Sequence, residues 1–123
     1  YQNVLEYDQR IKNKILNFRD ERNWQQFHQL HHLISALSIE VGELSELVLW
    51  KNEDEIKDKL KNKSFHENLS DECADILNYL ILISESANIN LIESSLNKLD
   101  KNKNKYPISK SYGKSTKYTK LDD

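Results

Sequence analysis

The chain is poor both in residues that interrupt helices and in residues that cross-link chains. Its 123 residues include one proline, two glycines and one cysteine. So little proline and glycine disfavours a turn-rich all-β fold and favours long helices. The lone Cys73 excludes an intramolecular disulfide, and its place in an apolar pattern predicts a small core residue. We therefore expect a single all-α domain over residues 1–123.

Long apolar runs and a strong excess of one charge are also missing. No apolar run approaches the length of about 18 residues that spans a membrane, so no membrane partner is expected. The N-terminus has neither an initiator methionine nor the apolar stretch of a secretory signal, and we expect a trimmed start and a cytoplasmic protein. The net charge of −2 conceals eight lysines from Lys98 onward. Such a basic segment suits a polyanion or an anionic membrane, and equally a solvated tail.

Apolar residues recur at helical spacing in four segments. The predicted long helices cover residues 4–19, 30–50, 69–86 and 91–99. The third is apolar on nearly all sides, which is typical of a central helix packed by several neighbours or by another subunit. Asn90 is placed to cap the fourth. Residues 51–68 are predicted to form a charged connection with a short helix near 56–60. Pro107 is predicted to end regular structure, and the chain from about residue 109 to be a basic polar tail.

Two pairs of carboxylates lie within the second and third predicted helices. Glu40 and Glu43 stand three residues apart, and Glu72 and Asp75 repeat that spacing. On a helix this spacing places both members of a pair on one face, about a turn apart. Four carboxylates that converge repel one another, and a hard divalent cation relieves the repulsion. Oxygen-only ligands favour Mg²⁺ or Mn²⁺ over zinc, so the sequence predicts a site for one of these ions.

Two other interpretations apply to the carboxylates. Acids at this spacing are common on exposed helix surfaces, where they form salt bridges, but the second pair lies in an almost wholly apolar helix. A di-iron bundle would use Glu-x-x-His pairs, and no histidine follows Glu40 or Glu72 at that spacing. Gly42, between the first two acids, costs a helix about 0.5–1 kcal/mol relative to alanine. It therefore marks either a functional site or close helix packing.

Aromatic residues accompany the carboxylates. By helical spacing, Trp50 continues the acidic face of the second helix and Tyr79 that of the third. An aromatic ring stacked on a nucleobase contributes about 1–3 kcal/mol. A further polar and aromatic segment supplies rings and hydrogen-bonding groups that can read a base, namely Trp24, Gln25, Gln26, Phe27 and His28. Core packing is the alternative role for each ring.

Taken together, these segments resemble a known family. The relevant runs are RDERNWQQFHQLHHLISALSIEVGELSELVLWK, DECADILNYLILIS and KLDKNKNKYP. They are similar to the all-α nucleoside triphosphate pyrophosphatases of the MazG-like group, most of all to its dCTP pyrophosphatase branch. The shared signature is ExxE followed, here after 28 residues, by ExxD. One departure is Ile15, where the dCTP branch often has a histidine.

The resemblance implies a four-helix bundle that assembles as a dimer or tetramer. It implies Mg²⁺-dependent hydrolysis of a nucleoside triphosphate, dCTP or a related pyrimidine deoxynucleotide, to the monophosphate and pyrophosphate, which would cleanse the nucleotide pool. The implied metal ligands and catalytic residues are Glu40, Glu43, Glu72 and Asp75. The implied substrate pocket comprises Trp24, Gln25, Gln26, Phe27, His28, Trp50 and Tyr79, with Lys98 and Asn102 toward the phosphates. No polymeric nucleic acid is expected as a partner.

A non-catalytic helical oligomerisation module is the alternative function. It explains the apolar third helix as an oligomer interface and the basic tail as an anchor for acidic partners. In that case Glu40→Gln would leave stability unchanged or improved and would not alter nucleotide binding. In the catalytic interpretation a water attacks the α-phosphorus, and Glu46 or one of the four ligands is the general base.

Overall fold

The computed structural model describes the backbone of residues 2–120 and the side chains of residues 9–120. Within this part of the chain the structure is helical and contains no strand, which confirms the all-α class. The α-helices are α1 Gln2–Glu21, α2 Leu30–Glu46, α3 Glu53–Leu60, α4 Lys63–Ser86, α5 Leu91–Lys105 and α6 Ile108–Ser111. Short 3₁₀ turns occupy Gln25–Phe27 and Tyr118–Lys120. The last three residues of the predicted tail lie outside the described residues.

Three asparagines begin helices. The side-chain oxygens of Asn52, Asn62 and Asn90 each accept a hydrogen bond from the backbone N–H three residues later, at 2.9, 3.0 and 3.1 Å. Such an N-cap satisfies a donor that the helix leaves unpaired, which contributes about 0.5–2 kcal/mol. The predicted cap at Asn90 is confirmed. The connection predicted over residues 51–68 is wrong in part, because Asn62 and the buried Phe65 start α4 at Lys63.

Two other boundaries differ from the sequence prediction. Helix α2 ends at Glu46, four residues early, and the following turn brings Trp50 to φ +61°. That left-handed conformation cannot continue a right-handed helix. Pro107 does not end regular structure, since it is the N-cap residue of the short helix α6. Proline is well suited to a helix start because its fixed φ is helical and its missing N–H is not needed there.

The described residues form two compact units, which are divided in sequence between residues 89 and 90. In the first unit α4 packs against α1, α2 and α3, which confirms its central position. The buried apolar side chains are Leu33, Phe65, Ile81 and Leu82. Cys73, expected in the core, is exposed instead because the neighbouring helices leave its side of α4 uncovered. None of the described helices is both apolar enough and long enough to cross a bilayer.

The second unit contains α5 and α6. Its C-terminal 3₁₀ turn folds back so that the rings of Tyr106 and Tyr118 meet edge to face, with centroids 6.0 Å apart. The ammonium of Lys105 lies 4.7 Å from the centroid of the Tyr118 ring. Edge-to-face rings and an ammonium over a ring face are both favourable arrangements. A part of the predicted polar tail is therefore held to α5 by aromatic contacts.

Gly42 has open space around it, since a Cβ built there meets no atom within 4 Å. Close packing within the described chain therefore does not require this glycine. We expect Gly42→Ala to raise the free energy of unfolding by about 0.5–1 kcal/mol, because alanine loses less backbone entropy in a helix. Urea unfolding measures the change. Gly113→Ala is the contrasting control and should destabilise, because Gly113 has φ +72°. A loss of stability in Gly42→Ala would show instead that another subunit packs on this position.

Candidate functional site

Three of the four predicted ligands meet between α2 and α4. Glu40, Glu43 and Glu72 each offer a carboxylate oxygen, and these oxygens all lie within 4.8 Å of one another. We call these three residues the acidic cluster. Helical spacing puts the first two on one face of α2, and α4 packs against α2 and supplies the third. Surface salt bridges do not explain the group, because no described basic residue pairs with any of its members.

The acidic cluster is electrostatically strained. The pKa of Glu40 is raised to about 7, first by desolvation, then by a hydrogen bond through a shared proton with Glu72, and by the charges of Glu43 and Asp75. Desolvation is also the main cause that raises the pKa of Glu72. Apart from the proton that the two acids can share, the buried Oε2 atoms of Glu40 and Glu72 have no hydrogen-bond partner among the described residues. Orphaned, desolvated carboxylate oxygens fit a hard divalent cation, which would supply the missing positive charge.

Asp75, the fourth predicted ligand, is outside the acidic cluster. Its charge still raises the pKa values of Glu40 and Glu72, although desolvation and the charge of Glu43 have larger effects. It also lines a cavity of about 400 Å³ between α1, the segment that follows it, and α4. We call this space the base cavity. Asp75 is therefore the residue that connects the base cavity with the carboxylates.

The base cavity has an aromatic and aliphatic wall. Its apolar members are Ile15, Phe18, Trp24, Tyr79 and Leu82. Phe18 and Trp24 pack edge to face, with ring centroids 5.7 Å apart and planes inclined by 75°, an arrangement that the aromatic quadrupole favours. Of the residues predicted to bind substrate, Trp24, His28 and Tyr79 are brought together here. A mostly apolar cleft with a few polar groups is typical of a small-molecule site.

The other predicted pocket residues lie elsewhere in the first unit. Gln25 lines a smaller cavity of about 180 Å³, which it shares with His28. The Gln26 amide donates to the carbonyl of Asn23 at 3.0 Å. Phe27 is 62% exposed and Trp50 is 93% exposed. The helical argument for Trp50 is wrong, because α2 ends before that residue.

The remaining predicted residues are a candidate general base and a pair expected near the phosphates. Glu46, a candidate general base, borders a different cavity of about 520 Å³, together with Lys51 and Lys59. Lys98 and Asn102, predicted to face the phosphates, both lie on α5 in the second unit. Their role toward a substrate stays a prediction.

Three polar residues of the base cavity were not predicted from the sequence, namely Lys14, Arg19 and Asn78. Asn78 could have been found, since it follows Asp75 by three residues and so shares its helical face. The other two could not. They belong to α1, and periodicity does not tell which face of one helix meets another helix.

Similarity to known proteins agrees with this geometry. The chain is 39% identical over 104 residues to dCTP pyrophosphatase 1 of Bos taurus, an alignment that covers 85% of this chain and 62% of that protein. It is 38% identical to dCTP pyrophosphatase 1 of Homo sapiens over the same length, with 61% of that protein covered. The chain thus spans about three-fifths of the length of these curated relatives.

A solved structure and a family model also match this chain. A pyrophosphatase from Archaeoglobus fulgidus superposes with a TM-score of 0.72 at 36% identity, over 77% of this chain and 87% of that one. The model of the MazG-like family matches residues 35–121, which include all four predicted metal ligands. Fold, signature and sequence identity agree, and the chain belongs to the MazG-like family.

Proposed function

We propose that this protein is a nucleoside triphosphate pyrophosphatase that converts dCTP, or a closely related pyrimidine deoxynucleotide, to the monophosphate and pyrophosphate. The observation that carries the proposal is the acidic cluster beside an aromatic base cavity, with Asp75 between them. A triphosphate needs a cation where its phosphates lie, and a base needs a flat apolar slot. The activity named for the relatives supports the same reaction.

The acidic cluster is suited to hold Mg²⁺ or Mn²⁺ through Glu40, Glu43 and Glu72, with Asp75 completing the set. When bound, such an ion neutralises phosphate charge and lowers the pKa of a coordinated water. The protein itself orients the nucleotide relative to these carboxylates. Tyr79 follows Asp75 by one helical turn, so a base held against its ring is placed about 6 Å along α4 from that carboxylate. The apolar wall excludes water from the base but not from the phosphates.

The direct test is pyrophosphate release from a panel of canonical and modified NTPs and dNTPs, with and without Mg²⁺. Metal-dependent release from a pyrimidine deoxynucleotide would support the proposal and name the substrate. A folded, metal-loaded protein that releases pyrophosphate from no nucleotide would refute it. That result would favour the helical oligomerisation module.

We also propose that the chain works as a homo-oligomer, a dimer or tetramer, in the cytoplasm, where it would cleanse the nucleotide pool. Many large apolar side chains of the first unit are exposed, among them Ile39 at 64%, Val41 at 46% and Leu77 at 42%. Isolated domains rarely leave so much apolar surface in water. Sedimentation equilibrium at micromolar concentration should give a multiple of the chain mass of 14.6 kDa, and a mass equal to 14.6 kDa would contradict the proposal.

The backbone at Trp50 yields a separate prediction. Trp50 combines a left-handed φ of +61° with almost complete exposure, and such strain at a bulky residue often marks a functional site. We expect Trp50→Gly to raise the free energy of unfolding by about 1 kcal/mol, because glycine adopts this conformation without strain. If the ring stacks on substrate, kcat/KM should fall about tenfold or more.

Urea unfolding and steady-state kinetics measure the two effects at Trp50. Asn88→Gly is the matched control, because Asn88 also has positive φ, at 55°, but asparagine tolerates that region. It should change neither quantity appreciably. A Trp50→Gly protein with wild-type kinetics would remove Trp50 from the substrate pocket.

A further inference from the structure

Arg19 is a nearly buried cation in the wall of the base cavity. Its side chain is 14% exposed, and its Nε donates to Oδ1 of Asp20 at 2.9 Å. Neither Nη group donates to another described residue. A guanidinium has five N–H donors in a fixed fork and no acceptor. Arg19, which lines both the base cavity and the smaller cavity that Gln25 borders, thus carries hydrogen-bond donors that the described residues do not use.

His28 provides the complementary group in the same wall. Its Nδ1 atom is buried and has no hydrogen-bond partner among the described residues. Burial, and secondarily the charge of Arg19, lowers the pKa of His28, so the ring is neutral at pH 7. In the tautomer with hydrogen on Nε2, Nδ1 is an acceptor. A buried polar atom without a partner is costly unless a ligand satisfies it.

Arg19, with its unused donors, and His28, with its unused acceptor, therefore both line the base cavity. The two residues also line the smaller cavity that Gln25 borders, so their side chains are close. Ile15, one turn before Arg19 on α1, adds no polar atom to the wall. The rings of Trp24 and Tyr79 supply flat surfaces for a base. A ligand that satisfies both groups must present one donor next to two acceptors along a single edge.

We propose that Arg19 and His28 read the Watson–Crick edge of a cytosine. His28 Nδ1 accepts from the N4 amino group, and the Arg19 guanidinium donates to N3 and O2. This inference rests on the proposed function, because it concerns which base that site selects. Uracil and thymine present O4 to an acceptor and N3–H to a donor, two mismatches on one edge. Adenine matches only two of the three positions and is larger, and guanine mismatches throughout.

The size of the expected discrimination follows from unpaired buried groups. A site built around hydrogen bonds rejects an analogue that leaves its polar groups unpaired far more strongly than an apolar pocket rejects a missing methyl group. Two mismatches should make kcat/KM for dCTP at least about 100-fold higher than for dUTP in the wild-type protein. Arg19→Leu should lower kcat/KM for dCTP about 10- to 100-fold and change that for dUTP far less, so that the preference collapses.

The experiment compares kcat/KM for dCTP, dUTP and dATP across a set of variants whose folding is checked by thermal denaturation. Arg19→Lys keeps the charge but not the fork, and it should recover only part of the preference. Arg10→Leu is the control, since it removes a guanidinium from an exposed position of the same helix outside the cavity. Equal losses for dCTP and dUTP in Arg19→Leu, or full recovery in Arg19→Lys, would overturn the proposal.

A substrate analogue tests His28 independently. The triphosphate of deoxyribosyl pyrimidin-2-one lacks the 4-amino group, so the wild-type protein should use it about tenfold or more less well than dCTP. His28→Ala should no longer distinguish the two, whereas retained discrimination would exclude His28 as the acceptor. If the wild-type protein cleaves no nucleotide, the proposed function fails. If it cleaves dCTP and Arg19→Leu keeps the wild-type preference, only this inference fails.

Discussion

Glu72→Gln is expected to lower kcat/KM for the nucleotide by at least about 100-fold, which corresponds to about 3 kcal/mol of transition-state stabilisation. Glu72 is the member of the acidic cluster that α4 supplies, so its loss leaves Asp75 as the one predicted ligand from that helix. The metal-free variant should melt at the same temperature as wild type or higher. Glutamine fills the same space, and it removes one of the desolvated, mutually repelling carboxylates.

Kinetics under Mg²⁺ titration and thermal denaturation in chelator measure the two effects of Glu72→Gln. The matched control is Glu67→Gln on the same helix, whose exposed carboxylate lies 4.0 Å from Lys63. An exposed pair of this kind contributes little, so neither activity nor melting temperature should move appreciably. A marked loss of stability in metal-free Glu72→Gln would show that the carboxylate is a structural acceptor instead. Wild-type activity would exclude Glu72 as a metal ligand.

The second large effect concerns pH. Rising pH should destabilise the metal-free protein, whereas it should strengthen the binding of Mg²⁺. The folded-state pKa of Glu40 is about 7, above its ordinary value of 4.5. Between these values the folded protein binds more protons than the unfolded chain, so Glu40 makes the metal-free protein less stable as pH rises through this window. Glu72 acts in the same direction. Mg²⁺ requires the deprotonated acids, so its affinity should rise about tenfold per pH unit for each proton released.

Thermal denaturation from pH 4.5 to 8, in chelator and in Mg²⁺, measures this reversal. His28 acts in the opposite direction, because its lowered pKa makes the protein lose stability as pH falls below 6.5. The difference between wild type and Glu40→Gln isolates the carboxylate. In chelator, the wild type should lose stability relative to this variant as pH rises toward 7. A relative gain of stability would contradict the raised pKa, and a pH-independent Mg²⁺ affinity would contradict the acidic cluster as the metal site.

What the amino-acid sequence determined by itself depends on residues that are close along the chain. The four long helices follow from the spacing of apolar residues, and the cap at Asn90 depends on an N–H three residues away. The pairing of Glu40 with Glu43 on one helical face is equally local. Even the convergence of α2 and α4 could be anticipated. Carboxylates on apolar helices are costly to bury, and a cation shared between two such helices reduces that cost.

Tertiary structure decided which side chains share the base cavity. Arg19 is an ordinary helix-end cation in the sequence, and only the packing of α1 on α4 buries it beside His28. Asp75 is not among the carboxylates that converge in the acidic cluster, and it lies in the wall of the base cavity instead. Trp50 is not on the helical face because α2 ends at Glu46 and the backbone is left-handed at Trp50 itself. Each outcome depends on contacts between segments far apart in sequence, which periodicity does not encode.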